Sequence, residues 1–256
     1  MKFEIVKAAF AAIGFLTVLP VPSVMLPPEE MGRASRWFPA IGLFMGVILL
    51  AAYWGGQIIF PSLVTATLVV TIWAALTGGL HLDGFCDCCD ALLVPVSVER
   101  RLEIMKDPRV GAFAAIGLVL FLMLKVSSVY ALLQTGRLWI ALLLVPTWAR
   151  WMLLLVARQP HAKTTGMGAT FASGITPSTV GMALILPMGL LCYTTVFAGY
   201  ISSILWIIGG LLMVWLLTRA VHKRLGGMTG DVYGLVVEVS ELTMLICASA
   251  SFSSVM

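Results

Sequence analysis

The chain has 256 residues, of which 60% are hydrophobic and 11% charged, with a formal net charge of +4 and a mean hydropathy of +1.02. A soluble domain carries about 25% charged residues, so the bilayer is the solvent here, and a water-soluble enzyme or a nucleic-acid-binding module is excluded. The longest stretch without a strongly apolar segment, roughly thirty residues from His81 to Val110, is too short to bury a core of its own. One integral-membrane domain over residues 1–256 is expected.

In chain order, residues 1–20 carry Lys2, Glu4 and Lys7 around an apolar run with no small-residue cleavage site. They predict an interfacial or re-entrant helix kept in the mature protein. Crossing roughly 30 Å of hydrocarbon takes about twenty apolar residues, and seven stretches qualify: 37–60, 62–82, 111–133, 138–157, 179–200, 202–218 and 232–253. The fold class is therefore all-α, a polytopic bundle of about seven membrane helices. Pro39, Gly42, Gly46, Pro146 and Pro187 lie inside these spans, where neighbouring helices tolerate kinks and close approach. Exposed apolar helices would face lipid and leave room for a homodimer. The five cysteines, three of them clustered among aspartates, do not resemble a disulfide framework.

Charge sorts the connections. Arg33 and Arg36 precede the first span, and Arg100, Arg101, Lys106 and Arg109 separate the second from the third. Arg158, His161 and Lys163 follow the fourth, and Arg219, His222, Lys223 and Arg224 follow the sixth. The intervening connections are short and carry only Arg137. By the positive-inside rule the basic loops face the cytoplasm and the C-terminus lies outside, which places every motif below on one side of a bacterial inner membrane.

The first motif, GGLHLDGFCDCCDA over residues 78–91, closes the second span. On a helix Asp83, Asp87 and Asp90 fall at i, i+4 and i+7, within about 60° of one another. Three crowded carboxylates repel, and a hard divalent cation such as Mg²⁺ relieves the repulsion while leaving room for phosphate oxygens. A solvated acidic helix start is the plain alternative, but acids at a membrane edge are costly and functional by default. Zinc on Cys86, Cys88 and Cys89 with His81 is disfavoured, because no second ligand pair follows at zinc spacing.

The second motif, Gly226-Gly227-Met228-Thr229-Gly230-Asp231, opens the last span. Its glycines allow backbone amides to approach a phosphate at a helix N-terminus, and Asp231 can serve the same cation. Glu238 and Glu241 follow at depths of roughly 10 and 15 Å, where an unpaired carboxylate is improbable; they should line a polar cavity and pair with Arg150, or form a structural ion pair. A third segment, Arg100 to Gly111, offers arginine forks for phosphate, although topogenic charge explains it equally well. A fourth, with Gly166 and Gly168, reads as a phosphate-handling loop or as a plain linker.

Taken together, GGLHLDGFCDCCDA with EIMKDPRVG, the GMGATF loop and the LGGMTGDVYG ending followed by Glu238 and Glu241 resemble the cobalamin synthase family, also called adenosylcobinamide-GDP ribazoletransferase. The resemblance covers nearly the whole chain. It implies a Mg²⁺-dependent membrane transferase that joins adenosylcobinamide-GDP to α-ribazole, or to its 5′-phosphate, with release of GMP. By matching position, Asp83, Asp87, Asp90, Asp107, Arg109, Arg150, Asp231 and Glu238 would belong to the site. Asp83, Asp87, Asp90, Asp231 and Glu238 are the expected metal residues, with Asp87 or Asp90 accepting a proton and Arg109 and Arg150 meeting substrate charge. Gly166, Gly168, Gly226, Gly227 and Gly230 are the expected phosphate-handling glycines. The one departure is Ala91, where the family usually has glycine.

Two alternatives fit the residues less well. A CDP-alcohol phosphotransferase needs Ala-Arg after its first aspartates and further spaced aspartates on the next helix, which this chain lacks. A divalent-metal or corrinoid transporter would carry its acids at mid-membrane in inverted repeats, whereas here the acidic motif occurs once and near one face.

Overall fold

The apolar stretches form twelve helices in a computed structural model that describes residues 2–22, 24, 26–162, 167–197 and 202–250. Their order is α1 (Lys2–Leu16), α2 (Pro28–Ala34), α3 (Phe38–Ile59), α4 (Ser62–Leu76), α5 (Leu80–Leu93), α6 (Val98–Ile104), α7 (Ala112–Gln134), α8 (Leu138–Ala157), α9 (Met167–Ser173), α10 (Pro177–Cys192), α11 (Ser203–Leu225) and α12 (Gly230–Ser249). Six helical stretches are long and apolar enough to cross a membrane, or up to seven if the bent pair α4 and α5 counts as one span. The chain is thus an all-α, multi-pass membrane protein.

The centre of the bundle is α8, buried along nearly its whole length. Small residues let its neighbour come close: a Cβ on Gly42 would collide with the Pro146 carbonyl, and one on Gly46 with the Leu142 carbonyl. Without a hydrophobic force between helices in lipid, such close backbone packing is what holds α3 on α8. By contrast α7 exposes Phe113, Ile116, Val119, Leu120, Met123 and Leu124, and α11 exposes Leu205, Ile208, Leu212, Trp215 and Leu216. These are the faces that meet acyl chains.

The expected span at 62–82 is corrected. The chain breaks between α4 and α5 and turns through 89°, because Gly78 (φ 61°) and Gly79 (φ 74°) both take the left-handed conformation that side chains resist. The acidic motif therefore lies along a separate short helix rather than at the end of a straight one. Ala91 is fully buried inside α5, so no turn is needed where the family usually has glycine. Arg101 holds the end of that helix: its Nη1 donates to the carbonyls of Ala91 (2.7 Å) and Leu92 (3.0 Å), and its Nε to Val96 (3.1 Å). Arg224 donates to the Leu92 carbonyl as well.

At the N-terminus, α1 is too short to cross a membrane. It buries Ala12 and Leu16 in the core, and the segment after it is tied to the break by the Val18 amide donating to the Leu76 carbonyl (2.9 Å). From Phe10 onward the N-terminal segment thereby walls the bundle's interior.

Candidate active site

Helices α5 and α12 approach one another along two glycines. A Cβ on Gly84 would lie 2.6 Å from the Asp231 carbonyl oxygen, and one on Gly234 would lie 2.8 Å from the His81 carbonyl oxygen. This reciprocal contact sets Asp83 and Asp87 beside Asp231. The three carboxylates lie within electrostatic reach of one another, and Asp83 and Asp231 line a cavity of about 1110 Å³. The other walls are mostly apolar: Phe10, Phe15, Val18 and Val21 from the N-terminal segment, with Leu153, Phe171 and Tyr233 opposite.

The loop that carries Asp231 is pinned from the side. The Met228 amide donates to the Pro160 carbonyl (2.9 Å), and the Ala162 amide returns a bond to the Met228 carbonyl (3.0 Å). Thr229 Oγ1 caps α12 by accepting from the Val232 amide (3.4 Å), which puts Asp231 in a first turn where the helix dipole favours negative charge. The Tyr233 hydroxyl sits 2.5 Å from His161 Nε2 and donates to the Gly168 carbonyl (3.3 Å), closing the rim. Partial burial of His161 holds its pKa below the usual imidazole value.

The five carboxylates expected around one cation do not all converge, and among the described residues no cluster of three or more His, Cys, Asp and Glu side chains has metal-binding geometry. Asp90 is turned to α7, where its oxygens accept from the amides of Gly111 (2.7 Å) and Ala114 (3.0 Å); it is the N-terminal anchor of that helix. Glu238 does not join them: its carboxylate is bound by Lys125 Nζ at 2.8 Å in the protein interior, which is the ion-pair alternative and not the metal one. Arg150 pairs with Glu241, as the sequence led one to expect; it is wholly buried and is not among the residues that line the cavity.

The glycines divide in the same way. Gly168 and Gly230 line the cavity. Gly226 instead terminates α11 in the left-handed conformation (φ 77°), its amide donating to the His222 carbonyl (3.1 Å), and Gly227 gives room to the backbone of Pro160 to Ala162. Both are corrected from phosphate contacts to turn geometry. Gly166 lies outside the described residues. Arg109 is exposed and forms a two-pronged pair with Asp107, Nε at 2.9 Å and Nη2 at 2.6 Å. That guanidinium holds the Asp107 pKa down at about 2.

Beneath the carboxylates lies a network that the sequence reading recognised only in part. Lys125 Nζ donates to Glu238 Oε2 and Glu241 Oε2, both at 2.8 Å. Arg150 and Trp73 Nε1 (3.2 Å) both donate to Glu241 Oε1. Lys125 also stands 4.5 Å over the Trp73 ring, a cation–π contact strengthened by desolvation. Two cations and two anions cancel, and α4, α7, α8 and α12 are joined. Lys125 was the missed member. Its signal was plain, as the sole charge in an otherwise apolar 23-residue helix.

A divalent cation fits the residues that remain. Mg²⁺ takes one or two carboxylates and completes its shell with water and substrate oxygens. Asp83 and Asp231 offer that number from two facing helices on the wall of a cavity. Among the described residues neither forms an ion pair.

The model of the cobalamin-5-phosphate synthase family matches residues 8–249. A protein of Roseiflexus sp. (strain RS-1) is 36% identical over 94% of this chain and 90% of its own length. One of Ectopseudomonas mendocina is 37% identical over 94% and 97%, and one of Pseudomonas fluorescens 40% identical over 92% and 96%. Each of the three is named adenosylcobinamide-GDP ribazoletransferase. No solved structure matches. With the match spanning α1 to α12, and so both helices that bear the facing carboxylates, the chain belongs to the cobalamin-5-phosphate synthase family.

Proposed function

We infer that the chain is an adenosylcobinamide-GDP ribazoletransferase, joining adenosylcobinamide-GDP to α-ribazole or its 5′-phosphate with release of GMP. The observation that carries the reading is the meeting of Asp83 and Asp231 at one cavity, within a chain whose relatives carry that name. Phosphoryl transfer asks a protein for positioning and charge neutralisation more than for covalent help.

A hydroxyl of the ribazole ribose attacks the phosphorus on the cobinamide side of the diphosphate, the bond from that phosphorus to the GMP oxygen breaks, and GMP leaves. Asp83 and Asp231 would hold Mg²⁺, which when bound supplies positive charge to the diphosphate oxygens. Asp87 accepts the hydroxyl proton: Asp90, the other candidate, is committed to the amides of α7. Arg109, free to turn from Asp107 toward solvent, meets the negative charge of the departing GMP. The site faces the cytoplasm of an inner membrane, in keeping with the basic loops beside it.

Purified protein in detergent, given adenosylcobinamide-GDP, α-ribazole and Mg²⁺, should release one GMP for each corrinoid that gains its lower base. Transport of metal or corrinoid into proteoliposomes without GMP release would support a transporter instead.

A further inference from the structure

The cavity is far larger and more apolar than two carboxylates require. Its N-terminal wall carries Phe15, whose ring stacks on Phe171 with centroids 5.1 Å apart and on Phe38 at 5.5 Å. Tyr233 meets Phe171 edge-on at 6.2 Å. Asp83 and Asp231 line the same space, with Thr17, His81 and Thr170 as further polar side chains among mostly apolar ones. Ligand sites of this kind pair an apolar chamber with a few polar groups that fix orientation.

Resting on the reaction inferred above, we propose that this chamber binds the base of the acceptor nucleoside, with Phe15, Phe171 and Tyr233 as its wall. The chemistry of the reacting pieces makes the choice. The corrin of adenosylcobinamide-GDP is rimmed with amides, and its guanine has donors and acceptors along its edge; walls that are mostly apolar, with only a few polar side chains, would leave most of either's polar groups unsatisfied. The base of α-ribazole is a flat benzimidazole bearing two methyl groups, with one ring nitrogen left to hydrogen-bond. It is the one large piece of either substrate that loses little by leaving water for an aromatic wall. Seated there, its ribose shares the cavity with Asp83 and Asp231, and Asp87 lies within electrostatic reach of both. The diphosphate substrate then approaches those carboxylates from outside the chamber.

Gly14 gives a clean test. It lines the cavity, and a Cβ there would meet only Val21 Cγ2 at 3.7 Å, so a leucine can start from this helical position without its Cβ striking backbone and adds bulk to the cavity wall. In detergent with Mg²⁺, Gly14→Leu should raise KM for α-ribazole on the order of tenfold or more and leave KM for adenosylcobinamide-GDP within about twofold, because a filled site loses apolar contact area with its ligand. Phe15→Leu, at a partly exposed ring, should give the same pattern more weakly and serves if Gly14→Leu fails to insert. The riboside of unmethylated benzimidazole should bind the unaltered protein about tenfold more weakly than α-ribazole, from the loss of two buried methyl groups. Free 5,6-dimethylbenzimidazole should compete with α-ribazole and not with adenosylcobinamide-GDP. A rise in KM for adenosylcobinamide-GDP instead, no change for either substrate, or a tightly held lipid chain that α-ribazole cannot displace would overturn the assignment while leaving the reaction intact. No GMP release by the unaltered protein would overturn the reaction, and the assignment with it.

Discussion

Replacing Lys125 with methionine keeps the length of the side chain and removes its charge. Lys125 is 3% exposed, and its Nζ stands 2.8 Å from both Glu238 and Glu241. The network goes from neutral to a net charge of −1, and the geometry says where that charge falls. Glu241 keeps Arg150 and Trp73, whereas Lys125 is the cation paired with Glu238. Removing one member of a buried pair costs about 3–5 kcal/mol, because the remaining charge is left uncompensated; this is roughly two to more than three orders of magnitude in the folding equilibrium. Adding Glu238→Gln restores neutrality, so Lys125→Met with Glu238→Gln should be more stable than Lys125→Met alone by about 2 kcal/mol or more, a coupling of the size contacting charges show. The assay is equilibrium unfolding in mixed detergent micelles, followed by helical circular dichroism. A loss below about 1 kcal/mol in the single variant, or a double variant weaker than the single, would refute the claim that Lys125 neutralises Glu238.

Two further outcomes follow from local geometry. Gly84→Ala sets a methyl group 2.6 Å from the Asp231 carbonyl oxygen, so α5 and α12 must separate at a cost of about 1–3 kcal/mol. Turnover should fall further than stability, since Asp83 and Asp87 move away from Asp231; parallel assays of melting temperature and GMP release check it, and unchanged turnover would show that the seam does not set the site. For His161, burial lowers the folded pKa beneath the unfolded value of about 6.5. The unfolded chain then binds the proton first, so the stabilising contribution is whole above about pH 6.5 and is lost as pH falls through the lowered folded value. Melting temperature should decline on acidification across this window, and His161→Gln should flatten part of that decline; equal slopes in the two proteins would remove His161 as its source.

The membrane class, most span boundaries and the family were legible in the sequence, because each rests on a long or local signal: twenty-residue apolar runs, or motifs whose order is uncommon. The break at Gly78 and Gly79 was hidden, since apolar residues continue through 62–82 and periodicity does not register a left-handed turn inside a hydrophobic run. The acidic segment is helical, as its spacing implied, but spacing along one helix says nothing of what faces it. Asp90 shares a stripe with Asp83 and Asp87, yet α7 claims it. Glu238 follows Asp231 in the same helix, and two turns of rise carry it to Lys125 instead. Charges buried deep in the bundle meet across three helices, with Trp73 added from a fourth; Arg150 was expected beside the glutamates, whereas no local pattern encodes their pairing with Lys125. The cavity was equally invisible, since its walls come from segments far apart in the chain, among them Phe10, Val24, Met31, His81, Leu153, Phe171 and Tyr233.

The central claim is that Asp83 and Asp231, on two different helices, share one divalent cation. Electron paramagnetic resonance of Mn²⁺, titrated into the purified protein with GDP as the diphosphate, tests it most directly. The unaltered protein should hold Mn²⁺ with a signal altered by the nucleotide, and Asp83→Asn and Asp231→Asn should each abolish that binding while melting near the unaltered temperature. Undiminished Mn²⁺ binding in both variants would contradict it.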